Sequence, residues 1–122
     1  MIDFYKSVRS FRFAFQGIWQ FFRYENNAKV HLLATALVVA AGVCFQLTKQ
    51  EWLWIVVAIA LVWVTESMNT AIEKLVDIVS PGFDVRAGAV KDLAAGAVLL
   101  AALAAVVIGT LIFWPYVVGL LS

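Results

Sequence analysis

Glu66, Asn69, Glu73 and Asp77 continue, without a break, an apolar run of 13 residues from Trp52 to Val64. At about 100° per residue, these four side chains fall within an arc of about 80° on one face of a helix. Ionisable groups within a bilayer are costly and turn toward a bundle interior or a water-filled cavity. A chain with this stripe must therefore fold as several helices, with the striped face turned inward. The same stripe is the first place to look for chemistry.

The composition agrees with a bilayer as solvent. Of 122 residues, 64% are hydrophobic and 14% charged, whereas soluble domains carry about 25% charged residues. The length allows one domain, residues 1–122. Cys44 is the only cysteine, so an intrachain disulfide and a Cys/His metal site are excluded, and Cys44 is expected to pack among apolar neighbours. The first 24 residues hold Lys6, Arg9, Arg12 and Arg23 and no continuous apolar stretch, unlike a cleavable leader.

The fold class expected is an all-α membrane protein: an amphipathic surface helix and three transmembrane helices. In the surface helix, over about 4–24, Phe4, Val8, Phe11, Phe15, Ile18, Trp19 and Phe22 share one face, with basic and amide side chains on the neighbouring arc. The spans are expected over about 30–47, 52–79 and 91–118. Gln46–Gln50 forms a short turn, and Ser80-Pro81-Gly82 opens a longer one reaching about Gly88. With three spans, eight of the nine Lys and Arg residues fall on the side of the N-terminus, and Lys49 alone falls on the other. By the positive-inside rule the N-terminus is cytoplasmic and the C-terminus outside, with Trp52, Trp54, Trp114 and Tyr116 as the outer aromatic belt.

Counting about 1.5 Å per residue from Trp52 places Glu66 about 21 Å deep, Glu73 about 31 Å and Asp77 about 38 Å. Glu73 and Asp77 then emerge at the cytoplasmic interface, level with Glu25, Lys91 and Asp92, while Glu66 and Asn69 stay just inside the hydrocarbon. This layout suits a reaction between a water-soluble phosphate donor and a lipid. Shallow carboxylates can hold Mg²⁺ together with substrate phosphates, a lysine can neutralise phosphate oxygens, and the deeper carboxylate can accept a proton from a lipid hydroxyl. No Gly-rich phosphate loop of the G-x-x-x-x-G-K-[ST] type is present, and no nucleic-acid partner is expected. Bland roles stand beside these: Asn69 as an interhelical hydrogen bonder, Lys74 as an interfacial anchor, Arg86 as a topology-setting loop charge, Asp92 as a helix cap and His31 as an interfacial residue. A non-catalytic oligomeric proton or ion pathway along Glu66, Asn69 and Glu73 is the alternative from another class. It would need polar groups in the outer half as well, where Trp52–Val64 and Ala94–Pro115 offer almost none.

The run Glu66-Ser-Met-Asn69-Thr-Ala-Ile-Glu73-Lys-Leu-Val-Asp77, followed by Lys91-Asp92-Leu-Ala-Ala-Gly-Ala-Val, closely resembles the bacterial integral-membrane diacylglycerol kinase/undecaprenol kinase family. Gly17–Leu32, with Glu25 before the first span, is similar to that family's amphipathic-helix region, and the likeness covers roughly residues 4 to 114. The resemblance implies an MgATP-dependent lipid kinase of the bacterial inner membrane, acting on diacylglycerol or undecaprenol, and a homotrimer with active sites shared between subunits. It implies Glu66 as catalytic base, supported by Asn69, and Glu25 and Glu73 as ligands of the divalent cation on ATP. Asp77, Lys91 and Asp92 match positions near the nucleotide, Lys91 contacting phosphate, and Glu66, Asn69 and Asp92 match the lipid side. Two nucleotide-site positions depart from the pattern: Lys6 stands where some members have arginine, and Phe13 where some have tyrosine. A catalytically silent, regulatory member is the remaining alternative within the family; every motif carboxylate is nevertheless present. Gly88, Asp92 and Gly96, four apart, would permit close helix approach in a trimer.

Overall fold

The computed structural model describes all 122 residues and consists of four helices with no strand: α1 Phe4–Tyr24, α2 Asn26–Cys44, α3 Lys49–Val79 and α4 Val85–Leu121. The last three are long and apolar enough to cross a membrane. Local chemistry explains each boundary. Asp3 caps α1 by accepting from the Lys6 amide at 3.0 Å. Glu25, in extended conformation, is the single hinge residue between α1 and α2.

Helix α2 begins at Asn26 and ends at Cys44, earlier at both ends than a span over about 30–47. Its end is a Schellman turn, in which Leu47 N–H donates to Gly42 C=O and Gln46 N–H to Val43 C=O. Gln46 holds the left-handed position, with φ of 55°, where glycine is the usual occupant. Thr48 and Glu51 then form a reciprocal capping box that starts α3 at Lys49 rather than 52. Pro81 cannot continue a helix, and α3 stops at Val79. Asp84 accepts from the Arg86 amide at 2.8 Å, so α4 starts at Val85, ahead of 91, and the connection after α3 is short.

The packing inside one chain is thin. Nine of 122 residues are buried, so the chain has a seam between helices rather than a core. Helix α3 packs mainly on α4; Ile55 and Ala58 are buried on α3, and Ala94 and Ala101 on α4. Small side chains at such a seam let helix backbones approach, which is how helices associate where lipid removes the hydrophobic drive between them. Most other large apolar side chains of α2–α4 are exposed along the chain's own surface. Cys44 is among the exposed residues, because it follows the buried Gly42 around α2 onto the outward face. A Cβ placed on Gly88 or Gly96 meets nothing within 4 Å, so neither glycine is required by contacts within the chain.

At the aromatic end, Trp52 lies over Gly42, and Tyr116 of α4 donates to Glu51 of α3. Phe45 packs against Phe113 and Tyr116. This cluster ties the α2–α3 turn to the far end of α4, leaving the opposite, basic end of the bundle to carry the polar stripe.

Candidate active site

Helices α2 and α3 meet at the basic end through a polar ladder. Asn27, His31 and Thr35 recur every four residues on α2, a spacing that puts them on one face. That face meets Trp63 and Glu66 of α3. Asn27 Nδ2 donates to Glu66 Oε1 at 3.1 Å. His31 Nε2 lies 3.3 Å from Glu66 Oε2. Trp63 Nε1 donates to Thr35 Oγ1 at 3.0 Å, and the Thr35 hydroxyl donates to the His31 carbonyl at 2.7 Å. Phe22 of α1 meets the Trp63 ring edge-on, with centroids 4.9 Å apart, and brings α1 to the same place.

Glu66 is 3% exposed. A carboxylate so placed needs partners, and α2 supplies the Asn27 amide to one oxygen and places the His31 ring beside the other. Each oxygen keeps a second lone-pair site, so a further hydroxyl can still be accepted. Asn69, 7% exposed, follows on the same face. Its amide nitrogen donates to Glu73 Oε1 at 3.2 Å, while its Oδ1 is buried with no partner. An unpaired buried amide oxygen costs free energy comparable to a lost hydrogen bond, and here it sits one turn from the buried carboxylate. It is an acceptor left open for a donor or a cation.

Outside this pair the groups are more exposed. Glu73 is exposed, and Glu25, at the α1–α2 hinge, contacts Lys74 Nζ at 3.3 Å. Lys91 of α4 and Asp77 of α3 form an ion pair across the two helices, the side chains being 39% and 65% exposed. No three carboxylate or imidazole groups converge as a ready-made metal cage. Glu25 and Glu73 carry hard oxygen donors of the kind Mg²⁺ takes one or two at a time, completing its shell with phosphates and water.

The structure thus gathers Glu25, Glu66, Asn69 and Glu73 along the α2–α3 junction, with Asp77 and Lys91 beside it. Asp92 is exposed and makes no ion pair within the chain. Lys6 and Phe13 lie farther up the exposed α1, where the Arg9 guanidinium stacks over the Phe13 ring at 5.6 Å. Asn27 is a residue the sequence pattern did not single out, and His31, read there as interfacial, stands instead beside Glu66. Their spacing from Thr35, three polar side chains at four-residue intervals in an apolar span, was the available signal.

Two clefts flank the junction. One, of about 870 Å³, separates α1 from α3 and is lined by Gly17, Phe21, Glu25, Ser67, Met68 and Lys74 among others. It joins an apolar wall to a charged rim. The other, of about 510 Å³, runs from His31 and Thr35 toward Phe113, between α2, α3 and α4, and is mostly apolar. Its polar lining residues are His31, Thr35 and Thr110.

Comparison with known proteins places this arrangement. The family profile of the prokaryotic diacylglycerol kinases matches residues 12–113. Undecaprenol kinase of Bacillus subtilis is 39% identical over 107 residues, covering 88% of this chain and 87% of that one. Diacylglycerol kinase of Synechocystis is 34% identical over 113 residues, covering 92% of this chain and 65% of that longer one. A chain whose buried glutamate, open asparagine and shallow carboxylates fall inside that match belongs to the prokaryotic diacylglycerol kinase family.

Proposed function

We propose that this protein is an MgATP-dependent lipid kinase that phosphorylates the hydroxyl of a membrane lipid alcohol at the basic end of the α2–α3 junction. Undecaprenol is the first acceptor to test and diacylglycerol the second, since the undecaprenol kinase is the more identical of the two, 39% against 34%, and is matched over 87% of its own length against 65%. The observation that carries the proposal is Glu66: a buried carboxylate held by the Asn27 amide and flanked by His31 of α2, one turn from an unpaired amide oxygen.

The roles follow from chemistry and depth. Glu66 accepts the proton of the lipid hydroxyl as its oxygen attacks the terminal phosphate of ATP. Asn69, one turn from Glu66, helps fix the acceptor. Glu25 and Glu73 would hold Mg²⁺ on the phosphates, supplying positive charge where the transferred group is most negative. Lys91 exchanges its contact with Asp77 for a phosphate oxygen, and Lys74 releases Glu25. Asp77, Asp92, Lys6 and Phe13 complete the nucleotide surface, Asp92 also bordering the lipid. The protein works as a homotrimer in the bacterial inner membrane, with its N-terminus cytoplasmic so that the basic end meets ATP. The exposed apolar faces of α2–α4 and the thin packing within one chain support an assembly of copies.

Transfer of labelled phosphate from ATP by purified protein in mixed micelles tests this, with undecaprenol and diacylglycerol offered separately, with and without a chelator. Glu66→Gln keeps the shape and removes the base, so turnover should fall by roughly 10²- to 10⁴-fold while ATP binding persists. Near-normal turnover in that variant would take Glu66 out of the base role. Failure of the folded wild type to label either lipid would sink the kinase assignment.

A further inference from the structure

His31 is the only histidine in the chain, and its place between helices gives it a job that the proposed roles leave unfilled. Its Nε2 stands 3.3 Å from Glu66 Oε2, with the His31 side chain 26% exposed and the glutamate 4%. The backbone of His31 is itself fixed. Its carbonyl accepts from Thr35, whose hydroxyl oxygen accepts from Trp63 of the same helix that carries Glu66. The imidazole is therefore set against the carboxylate from both sides of the α2–α3 contact. An ionised carboxylate offers only acceptors, and a ring N–H turned toward it is the complementary donor.

We propose that His31 is a positioning residue for the base: its Nε2–H fixes the rotamer of Glu66 so that one oxygen lone pair points at the lipid hydroxyl. Asn27 alone holds Oε1, and one contact leaves the carboxylate free to turn about its terminal torsion, which is broad and roughly two-fold. A second contact on the other oxygen, His31 Nε2 at 3.3 Å from Oε2, restricts that freedom. His31 also lines the apolar cleft that leads toward Phe113, so the residue orienting the base stands at the mouth of a space suited to a hydrocarbon chain. This inference rests on the kinase role of Glu66 proposed above.

The test compares wild type, His31→Leu and His31→Gln for kcat and KM with MgATP and lipid, together with unfolding midpoints in micelles. Gln Nε2 reaches where His Nε2 does, so it keeps the donor without the imidazole's ability to carry a proton. Misplacing a reacting group by about 1 Å costs about 10²-fold in rate, so His31→Leu should lose kcat on that order with KM for MgATP little changed. His31→Gln should recover most of the loss. Wild-type kcat in His31→Leu overturns the proposal, and so does equal loss in Leu and Gln, which would assign proton carriage instead. A double-mutant cycle of His31→Leu with Glu66→Gln, read in the unfolding midpoints, should be non-additive because the side chains touch. Additivity would also overturn the proposal. If the wild type transfers no phosphate, the kinase assignment falls and takes the catalytic role with it, and the cycle then separately decides whether His31 holds Glu66.

Discussion

Gly42→Ala is a substitution whose sign depends on one neighbour. Gly42 lies in the last turn of α2 with an ordinary negative φ, so the backbone itself accepts alanine. Alanine in a helix gains up to about 1 kcal/mol over glycine. The side chain, however, has no room. Its Cβ would stand 2.6 Å and 2.9 Å from Trp52 Cη2 and Cζ2, and 3.0 Å from Leu47 Cδ1. The indole is rigid, so relief requires a shift of the α2–α3 turn, and such overpacking costs about 1–3 kcal/mol. The net effect is destabilisation of about 0.5–2 kcal/mol in the native background. In a Trp52→Ala background the indole clash disappears and only the flexible Leu47 Cδ1 must give way, so the same Gly42→Ala change should stabilise by up to about 1 kcal/mol. Unfolding of the purified protein in micelles, followed by helical circular dichroism for the four combinations, reads both signs. A stabilising Gly42→Ala in the native background, or identical effects in both backgrounds, would refute the close approach of Trp52 to Gly42.

Two further outcomes can be checked on the same material. Lys91→Met breaks an ion pair exposed on both sides, so stability should change by less than about 1 kcal/mol. The KM for MgATP should rise, and unchanged nucleotide kinetics would remove Lys91 from the phosphate site. Asp84 is held below its ordinary value of 3.8 by the Arg86 guanidinium and then by the Arg86 amide. A depressed carboxylate stabilises the fold above that ordinary value and loses its contribution as pH falls through the lowered one. Asp84→Ala should therefore lower the unfolding midpoint at neutral pH, and the difference should close in strong acid. A difference independent of pH would leave only the cap and no charge effect.

The sequence by itself determined the class and the direction of the bundle's chemistry. Three apolar segments and an amphipathic leader segment leave helices as the only way to satisfy backbone groups in lipid. The period of 3.6 residues puts Glu66, Asn69 and Glu73 on one face whatever that face meets. Helix ends were less legible. Asp84 and the Thr48–Glu51 box moved starts by several residues, because a single side-chain acceptor decides whether the first amides join the helix. A left-handed Gln46 set the end of α2 without the glycine that would have announced it.

Only the tertiary structure decided which side chains complete the site. Asn27 and His31 are separated from Glu66 by 39 and 35 positions, and no periodicity within α2 says which helix its polar face will meet. Packing sets that partner: the Trp63–Thr35 hydrogen bond and the seat of Trp52 on Gly42 fix the register of α2 against α3. Once that register is set, burial acts on the carboxylate, and a buried charge must take the donors that lie opposite. Helical period can be counted along one chain segment; the pairing of two faces is a property of the contact between them.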